Sequence, residues 1–291
     1  MKVLVSGSRG QLGSKVLETL REEARLEARG MSQAELDITR EEAVHSVLKA
    51  FRPAWIVNCA AYTDVEKAES EPERAYRVNS TALKYLADAA RESGARLLHV
   101  STDYVFSGLF QGSAPRPYHE DDPTGPLNVY GASKLAGEIC LQGHPARSTT
   151  LRTSWLYGGP GRNFLHTMLR LGKEHNLAHR PLRIVVDQRG TPTDAWSLAA
   201  QIRRLLFEEV DGLLHASSAG ETTWLEFARE IFRRAGLSVP LEPITSAEYA
   251  AKARRPLYSV LQNRRLDQLG LSVLPDWKDG LRKAWERLSQ P

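Results

Sequence analysis

A short apolar strand, a glycine-spaced turn and a helix open this chain, and no other feature limits its fold as sharply. Lys2-Val3-Leu4-Val5-Ser6 has the aliphatic, β-branched run of a buried strand. Gly7-Ser8-Arg9-Gly10-Gln11-Leu12-Gly13 follows at once and leads into a helical pattern. In that context the three glycines have separate uses. Gly7 permits the tight turn, Gly10 lets backbone approach a pyrophosphate, and Gly13 lets the helix lie close against the sheet. The helix start then offers free N–H groups to phosphate. Taken alone, such a turn also fits a plain strand-to-helix connection, so its meaning depends on the rest of the chain.

The rest alternates. Residues 55–59 and 97–101 read as strands bounded by Gly, Pro or polar turns, and residues 78–93 and 133–141 carry the helical period. A second strand falls within 25–29 and is poorly marked. Strands alternating with helices predict an α/β fold, a Rossmann-type doubly wound parallel sheet with a smaller α/β substrate-binding lobe. A length of 291 residues suits one main core with an appendage. We expect residues 1–160 with 188–220 to form the dinucleotide-binding domain, and 161–187 with 221–291 the lobe. Later apolar runs lie at 183–186 and 213–216. Residues 106–128 collect Gly, Pro and Asp without period, as expected of a loop passing over a ligand cleft.

Charge narrows the ligands. The formal net charge is +4, from 39 Lys and Arg against 35 Asp and Glu, and the basic residues are interspersed rather than massed. That argues against a nucleic-acid footprint while suiting small anions such as pyrophosphates. The opening apolar run is too short for a signal peptide and no segment approaches a membrane span, so no membrane partner and cytoplasmic residence are expected. Cys59 and Cys140 lack a Cys-x-x-Cys spacing; both are expected to be buried thiols, with no metal site.

Past the third strand come Asn58, Ala60 and Ala61, small residues on which a cofactor ribose and nicotinamide arm could rest, or which merely pack the sheet. NAD usually calls for an acid at the end of the second strand, and none stands there plainly. Arg9 and Arg29 either pair with a 2′-phosphate or are ordinary solvated arginines. NADP(H) is the expected cofactor, with NADH left open. Asp37 and Ile38 either hold the adenine, by carboxylate contact and apolar cover, or Asp37 is a helix cap.

Tyr130-Gly131-Ala132-Ser133-Lys134 places a phenol and an ammonium four residues apart, on one face of a helix. The lysine charge is expected to lower the tyrosine pKa, so that Tyr130 delivers a proton to a forming alkoxide as hydride arrives from nicotinamide. Lys134 can also grip the nicotinamide ribose. Tyr-x-x-x-Lys alone is a weak signal. The strand at 97–101 strengthens it by leading into Thr102, whose hydroxyl at the carboxyl edge of the sheet can polarise a substrate carbonyl.

Glycine loop, strand-end Thr and Tyr-x-x-x-Lys, in this order, resemble the extended short-chain dehydrogenase/reductase family. Within it, Gly10-Gln11-Leu12-Gly13, Asn58-Cys59-Ala60-Ala61-Tyr62-Thr63, Ser101-Thr102-Asp103-Tyr104-Val105-Phe106, Pro126-Leu127-Asn128-Val129-Tyr130-Gly131 and Arg152-Thr153-Ser154-Trp155 are similar to the dTDP-4-dehydrorhamnose reductases. So are Arg255-Pro256-Leu257-Tyr258-Ser259-Val260-Leu261 and Leu274-Pro275-Asp276-Trp277. The resemblance implies a dTDP-sugar substrate, Tyr130 as proton donor, Lys134 as its partner and Thr102 as carbonyl hydrogen-bonder. It implies substrate contacts from Val65, Thr102, Asp103, Tyr104, Trp155 and Arg255. Gly10, Gln11, Leu12, Asp37, Ile38, Ala61, Tyr62, Thr63 and Lys134 would line the cofactor. Trp155 is equally readable as a strand-end core aromatic.

The pattern is broken in two places. Members with a metal at their dimer contact carry glutamate where this chain has Lys15, and an ammonium cannot ligate a cation, so Mg is doubtful and a homodimer would have to form without it. Tyr258 stands where a small polar residue is usual and is expected to reshape the substrate mouth. Sugar-nucleotide dehydratases share the fold but use an Asp-Glu pair after the threonine; here Asp103 is followed by Tyr104. The other rivals are a related deoxysugar-nucleotide 4-ketoreductase and an idle dinucleotide-binding subunit, such as the regulatory partner of methionine adenosyltransferase. The idle subunit leaves Thr102, Tyr130 and Lys134 without a purpose.

Overall fold

Apolar runs with no polar face must be covered on both sides, and that requirement sets the architecture. In a computed structural model, which describes residues 1–110, 114–178 and 180–288, six strands form one sheet. They are β1 (Lys2–Ser6), β2 (Glu27–Met31), β3 (Trp55–Asn58), β4 (Arg96–Thr102), β5 (Ser148–Thr153) and β6 (Gly212–His215). Their order is β6-β5-β4-β3-β1-β2, and all pairs are parallel. Strand order reverses between β1 and β3, which opens a crevice at their carboxyl ends.

Two apolar layers hold the sheet. On one face Val3, Val5, Val57 and Leu98 meet α1 (Gln11–Arg21) and a helix at Ala195–Leu205. On the other, Leu4, Ile56 and Leu97 meet α2 (Glu41–Phe51) and α3 (Ala82–Ser93). Each such side chain removed from water stabilises the fold by about 1.5–3 kcal/mol, far above any helix propensity.

Three differences from the sequence reading have local causes. β2 begins at Glu27, because an edge strand alternates exposed and buried residues and its charged positions mask it. The helix expected over 78–93 is split: Arg77–Thr81 is a π turn that precedes α3. The turn aims Asn79 inward, where its amide donates to Tyr62 O at 3.0 Å and Ser133 Oγ at 2.9 Å. α4 spans Val129–Gln142 rather than 133–141. Asn128 caps it, its side chain accepting from Gly131 N at 2.8 Å, and Gly131 in the first turn had hidden the start.

The late segments form a second cluster. Leu182–Val185 pairs in parallel with Leu241–Ile244, apart from the main sheet. Around this pair Tyr157, Phe227, Trp277 and Leu281 share a core contributed by helices Phe164–Ala178, Trp224–Ala235 and Trp277–Leu288. The described residues of the segment at 106–128 do not border the main cavity. Tyr118 stacks on Phe106 at 4.0 Å and its N–H donates to Val260 O at 2.8 Å, so apolar packing ties the loop to the tail. Residues 111–113 of that loop lie outside the described residues. Among the described residues, no helix is long and apolar enough to cross a membrane.

Candidate active site

The crevice is a cavity of about 510 Å³ at the carboxyl ends of β1, β3, β4 and β5. Its floor begins with the glycine turn. Gly7 has φ +67°, and a Cβ there would stand 2.7 Å from Ala60 N, so only glycine lets β1 turn so close to the end of β3. A Cβ on Gly13 would meet Gly7 O at 2.3 Å, which fixes how near α1 lies. Gly10 is the N-cap of α1 and makes no side-chain cap bond, so the first N–H groups of that helix are available to an anion. Gln11 donates to Leu156 O at 3.0 Å, and its Oε1 is buried with no hydrogen-bond partner among the described residues. These features fit the pyrophosphate of a dinucleotide.

α4 supplies the opposite wall. A Cβ on Gly131 would lie 2.2 Å from Tyr104 O, and this contact holds Tyr130 against the end of β4. Tyr130 meets Tyr104 edge to face at 5.8 Å, and the Thr102 hydroxyl eases its ionisation. Thr102 Oγ1 accepts from Tyr104 N and donates to Asp103 Oδ1, each at 3.2 Å. Burial nevertheless dominates and pushes the Tyr130 phenol up to about 12. The expected lowering by Lys134 is absent, because the amine is engaged elsewhere.

Lys134 is 1% exposed; its Nζ donates to Val100 O at 2.6 Å and meets His99 Nε2 at 3.0 Å. Behind it, His99 Nδ1 lies 3.0 Å from Asn58 Nδ2, and Asn58 Oδ1 accepts from Ser6 Oγ at 2.6 Å and Ala60 N at 3.2 Å. The amide orientation makes His99 Nδ1 an acceptor, which leaves the imidazole proton on Nε2, facing a lysine lone pair. Burial, against the opposing pull of Glu138 and Cys59, brings Lys134 down to about 7, and burial with Lys134 holds His99 well below its ordinary value. Under α4, Glu138 accepts from Arg152 at 2.7 Å and from Ser101 Oγ at 2.5 Å, a buried cluster that anchors helix to sheet.

Of the residues singled out in the sequence, Gly10, Gln11, Leu12, Ala61, Thr63, Val65, Thr102, Asp103, Tyr104, Tyr130, Lys134 and Trp155 border this one cavity. Trp155 is half-buried and stands at the cavity rather than in an apolar core cluster. Its φ is +43°, it lines the cavity, and it stacks on Trp224 at 3.5 Å. Ala60 and Asn58 lie behind the wall, and the Tyr62 hydroxyl turns away to Glu71 at 3.0 Å. Asp37 is no helix cap: Arg40 occupies that position, and Asp37 Oδ1 accepts from Thr39 N at 3.0 Å in a turn. Ile38 is buried in the core beside it. Arg255 pairs with Glu66 at 2.9 Å and borders a second cavity of about 380 Å³. Tyr258 is buried, donates to Glu221 at 2.9 Å and is not at the mouth; bulk that packs against Phe110 and Tyr118 has no reason to face the cleft. Cys59 is only half-buried and borders the main cavity, and Cys140 is half-buried too. Lys15 pairs with Glu18 at 2.7 Å and sits over the Trp196 ring.

Other residues escaped sequence reasoning. An acid does stand past β2: Glu35 accepts from Ser32 N at 2.8 Å, and the charges of Arg9 and Arg29 help hold it ionised. Arg29 itself lies over the Phe51 ring. Trp224, Arg162 and Asn163 border the cavity from segments with no dinucleotide motif. The run Gly158-Gly159-Pro160-Gly161 before Arg162 is the one signal that could have flagged a loop at the sheet edge.

The model of the RmlD substrate binding domain family matches residues 1–290. The chain is 40% identical to a dTDP-4-dehydrorhamnose reductase of Shigella flexneri, covering 99% of this chain and 98% of that protein. It is 38% identical to a probable dTDP-4,6-dihydroxy-2-methyloxan-3-one 4-ketoreductase of Streptomyces antibioticus, covering 98% and 95%. A solved dTDP-4-dehydrorhamnose reductase from Bacillus anthracis str. Ames, in complex with NADP, superposes with a TM-score of 0.92 at 38% identity, covering 98% and 99%.

Proposed function

The chain belongs to the RmlD substrate binding domain family, and from that premise we propose that it reduces the C4 ketone of dTDP-4-dehydro-6-deoxy-L-mannose with NADPH. The product is dTDP-L-rhamnose, and the step is the last in making that activated sugar. One observation carries the reading: Thr102, Tyr130 and Lys134 border the same cavity as the glycine-turn residues Gly10, Gln11 and Leu12. Relatives similar along nearly the whole chain bear this activity by name, and one is solved with NADP.

When bound, the dinucleotide supplies the hydride. Thr102 and Tyr130 converge on the ketone oxygen, and Tyr130 gives up its proton as the alkoxide forms. Lys134, once protonated, favours the resulting phenolate and holds the nicotinamide ribose. Gly7, Gly10, Gln11, Leu12 and Gly13 cradle the pyrophosphate, and Asn58, Ala60, Ala61, Tyr62 and Thr63 flank the nicotinamide arm. Asp37 and Ile38 border the adenine. Arg9 favours a 2′-phosphate while Glu35 suits ribose hydroxyls, so NADPH leads and NADH is accepted. Val65, Asp103, Tyr104, Trp155 and Arg255 contact the sugar nucleotide, joined by Trp224.

Residues 1–160 with 188–220 form the dinucleotide domain in this account, and 161–187 with 221–291 the substrate lobe. Support comes from β6 lying in the large sheet and from Leu182–Val185 pairing with Leu241–Ile244. The protein acts in the cytoplasm, where NADPH and nucleotide sugars are made, as a homodimer without bridging Mg. The Streptomyces relative favours a second reading, a 4-ketoreductase for another dTDP-deoxysugar. A panel of dTDP-4-keto sugars, followed by NADPH oxidation, separates the two. Fastest turnover of the L-mannose derivative supports the first reading; binding of NADPH without oxidation by any ketone contradicts both.

A further inference from the structure

His99 stands in the middle of β4, 1% exposed, behind the cavity wall to which Val100 and Lys134 contribute. Both of its ring nitrogens are engaged, and the polarity of these contacts is fixed from the backbone outward. Ala60 N can only donate, so Asn58 must turn Oδ1 to it, and Ser6 Oγ donates to the same oxygen. Asn58 Nδ2 then faces His99 Nδ1 at 3.0 Å, which makes Nδ1 the acceptor and leaves the ring proton on Nε2. That N–H meets Lys134 Nζ at 3.0 Å. An ammonium there would carry three N–H groups and no lone pair. Among the described residues, Val100 O at 2.6 Å is its one other hydrogen-bond partner. A free amine fits better: its lone pair takes the His99 N–H, one N–H goes to Val100 O, and one is left for the cavity. Around it, Glu138 of the same helix is committed to Arg152 of β5 and Ser101 of β4. Cys59, past β3, is held uncharged because burial pushes its thiol up to about 12, and Tyr130 lies one turn back along α4.

Resting on the dinucleotide reading above, we propose that His99 is a positioning residue that seats Lys134 as an uncharged amine in the cofactor-free protein, so that the ammonium forms only when a bound dinucleotide offers it acceptors. The ribose hydroxyls of the nicotinamide arm are such acceptors, and the anionic diphosphate favours the charge. Cofactor binding then takes up one proton, which comes from solvent and stays on Lys134 Nζ. The charge that favours a Tyr130 phenolate thus arrives together with the hydride donor. Burial acts in the same direction: it brings Lys134 down to about 7 and, with Lys134, holds His99 well below its ordinary value. Between about 7 and the ordinary lysine value of 10.5 the free protein lacks the proton that the complex holds, so uptake belongs to that window.

The test follows protons and the imidazole ring rather than turnover. Calorimetric titration of NADPH into the full chain, at about pH 8.5 in buffers of different ionisation enthalpy, should show uptake of about one proton per NADPH. Lys134→Met should abolish that uptake. Asn58→Asp presents an acceptor oxygen to Nδ1, draws the ring proton there and leaves Nε2 as an acceptor for an ammonium; uptake should fall below about a third of wild type. Nitrogen NMR of the cofactor-free protein labelled at its histidine rings, with the His99 signals identified by their loss in His99→Gln, should place the proton of a neutral ring on Nε2 in wild type and on Nδ1 in Asn58→Asp. Wild-type uptake near zero, a wild-type ring protonated on Nδ1, or uptake unchanged in Asn58→Asp although the ring proton has moved, overturns the proposal. If Asn58→Asp fails to fold, the wild-type ring and the Lys134→Met titration still decide. Folded protein that does not bind NADPH would instead sink the dinucleotide reading.

Discussion

Tyr130 is the residue whose hydroxyl matters only as the alkoxide forms, so Tyr130→Phe should lower kcat by about 10²–10⁴ while NADPH affinity stays nearly constant. Stopped-flow reduction and fluorescence titration check this; equal losses in both would contradict the assigned role. Lys134 makes a different prediction. Its folded value near 7 lies below its ordinary 10.5. Between these, the unfolded chain holds one more proton, so this group costs stability at about pH 7 and the cost fades as pH rises toward about 10. Thermal melts without cofactor should show wild type gaining on Lys134→Met over that window. Parallel curves would mean the buried amine stays charged. The Tyr–Lys pair was legible in the sequence because Thr102 and the glycine turn stood beside a spacing that is weak alone, but His99 was not. A histidine inside an apolar strand carries no mark of the lysine it will meet, because that contact is made across 35 positions of chain.

Among the elements, the β1–glycine turn–α1 unit was read directly, because each step of it is local: an apolar run, a glycine at φ +67° and a helix start. Gly7→Ala should cost about 1–3 kcal/mol and weaken NADPH binding, since both backbone angle and Ala60 resist a side chain. Chemical denaturation and cofactor titration measure the two effects. Gly131→Ala is the sharper case. Its Cβ would strike Tyr104 O and push α4 off the end of β4, so kcat should fall by about tenfold or more with NADPH affinity less affected. Unchanged kcat would show that this contact does not place Tyr130. The π turn at Arg77–Thr81 and the early start of α4 were illegible for one reason: both depend on tertiary partners, Tyr62 for Asn79 and Tyr104 for Gly131. The loop at 106–128 was misplaced because its packing partners, Tyr258 and Val260, come more than a hundred residues later.

Over the whole molecule, the parallel sheet follows from alternating patterns, whereas the cavity wall drawn from the later segments does not. Trp224 reaches the site by stacking on Trp155, and nothing near it in sequence announces that. Trp224→Ala should raise KM for the sugar nucleotide by about two- to tenfold while leaving NADPH binding alone; the reverse pattern would place Trp224 on the cofactor. Lys15, committed to Glu18 and Trp196, leaves no ligand for a bridging cation at that position. Light scattering should therefore find the same assembly with and without a chelator, and dissociation by chelator would refute this. The central claim is hydride delivery from a nicotinamide in this cavity to a sugar ketone. It is tested most directly by turnover with NADPH deuterated at the transferable C4 position, followed by NMR of the product. The account predicts one deuterium per cofactor oxidised, at C4 of the 6-deoxy sugar. Cofactor oxidation that leaves the sugar unlabelled, or label at another carbon, would contradict it.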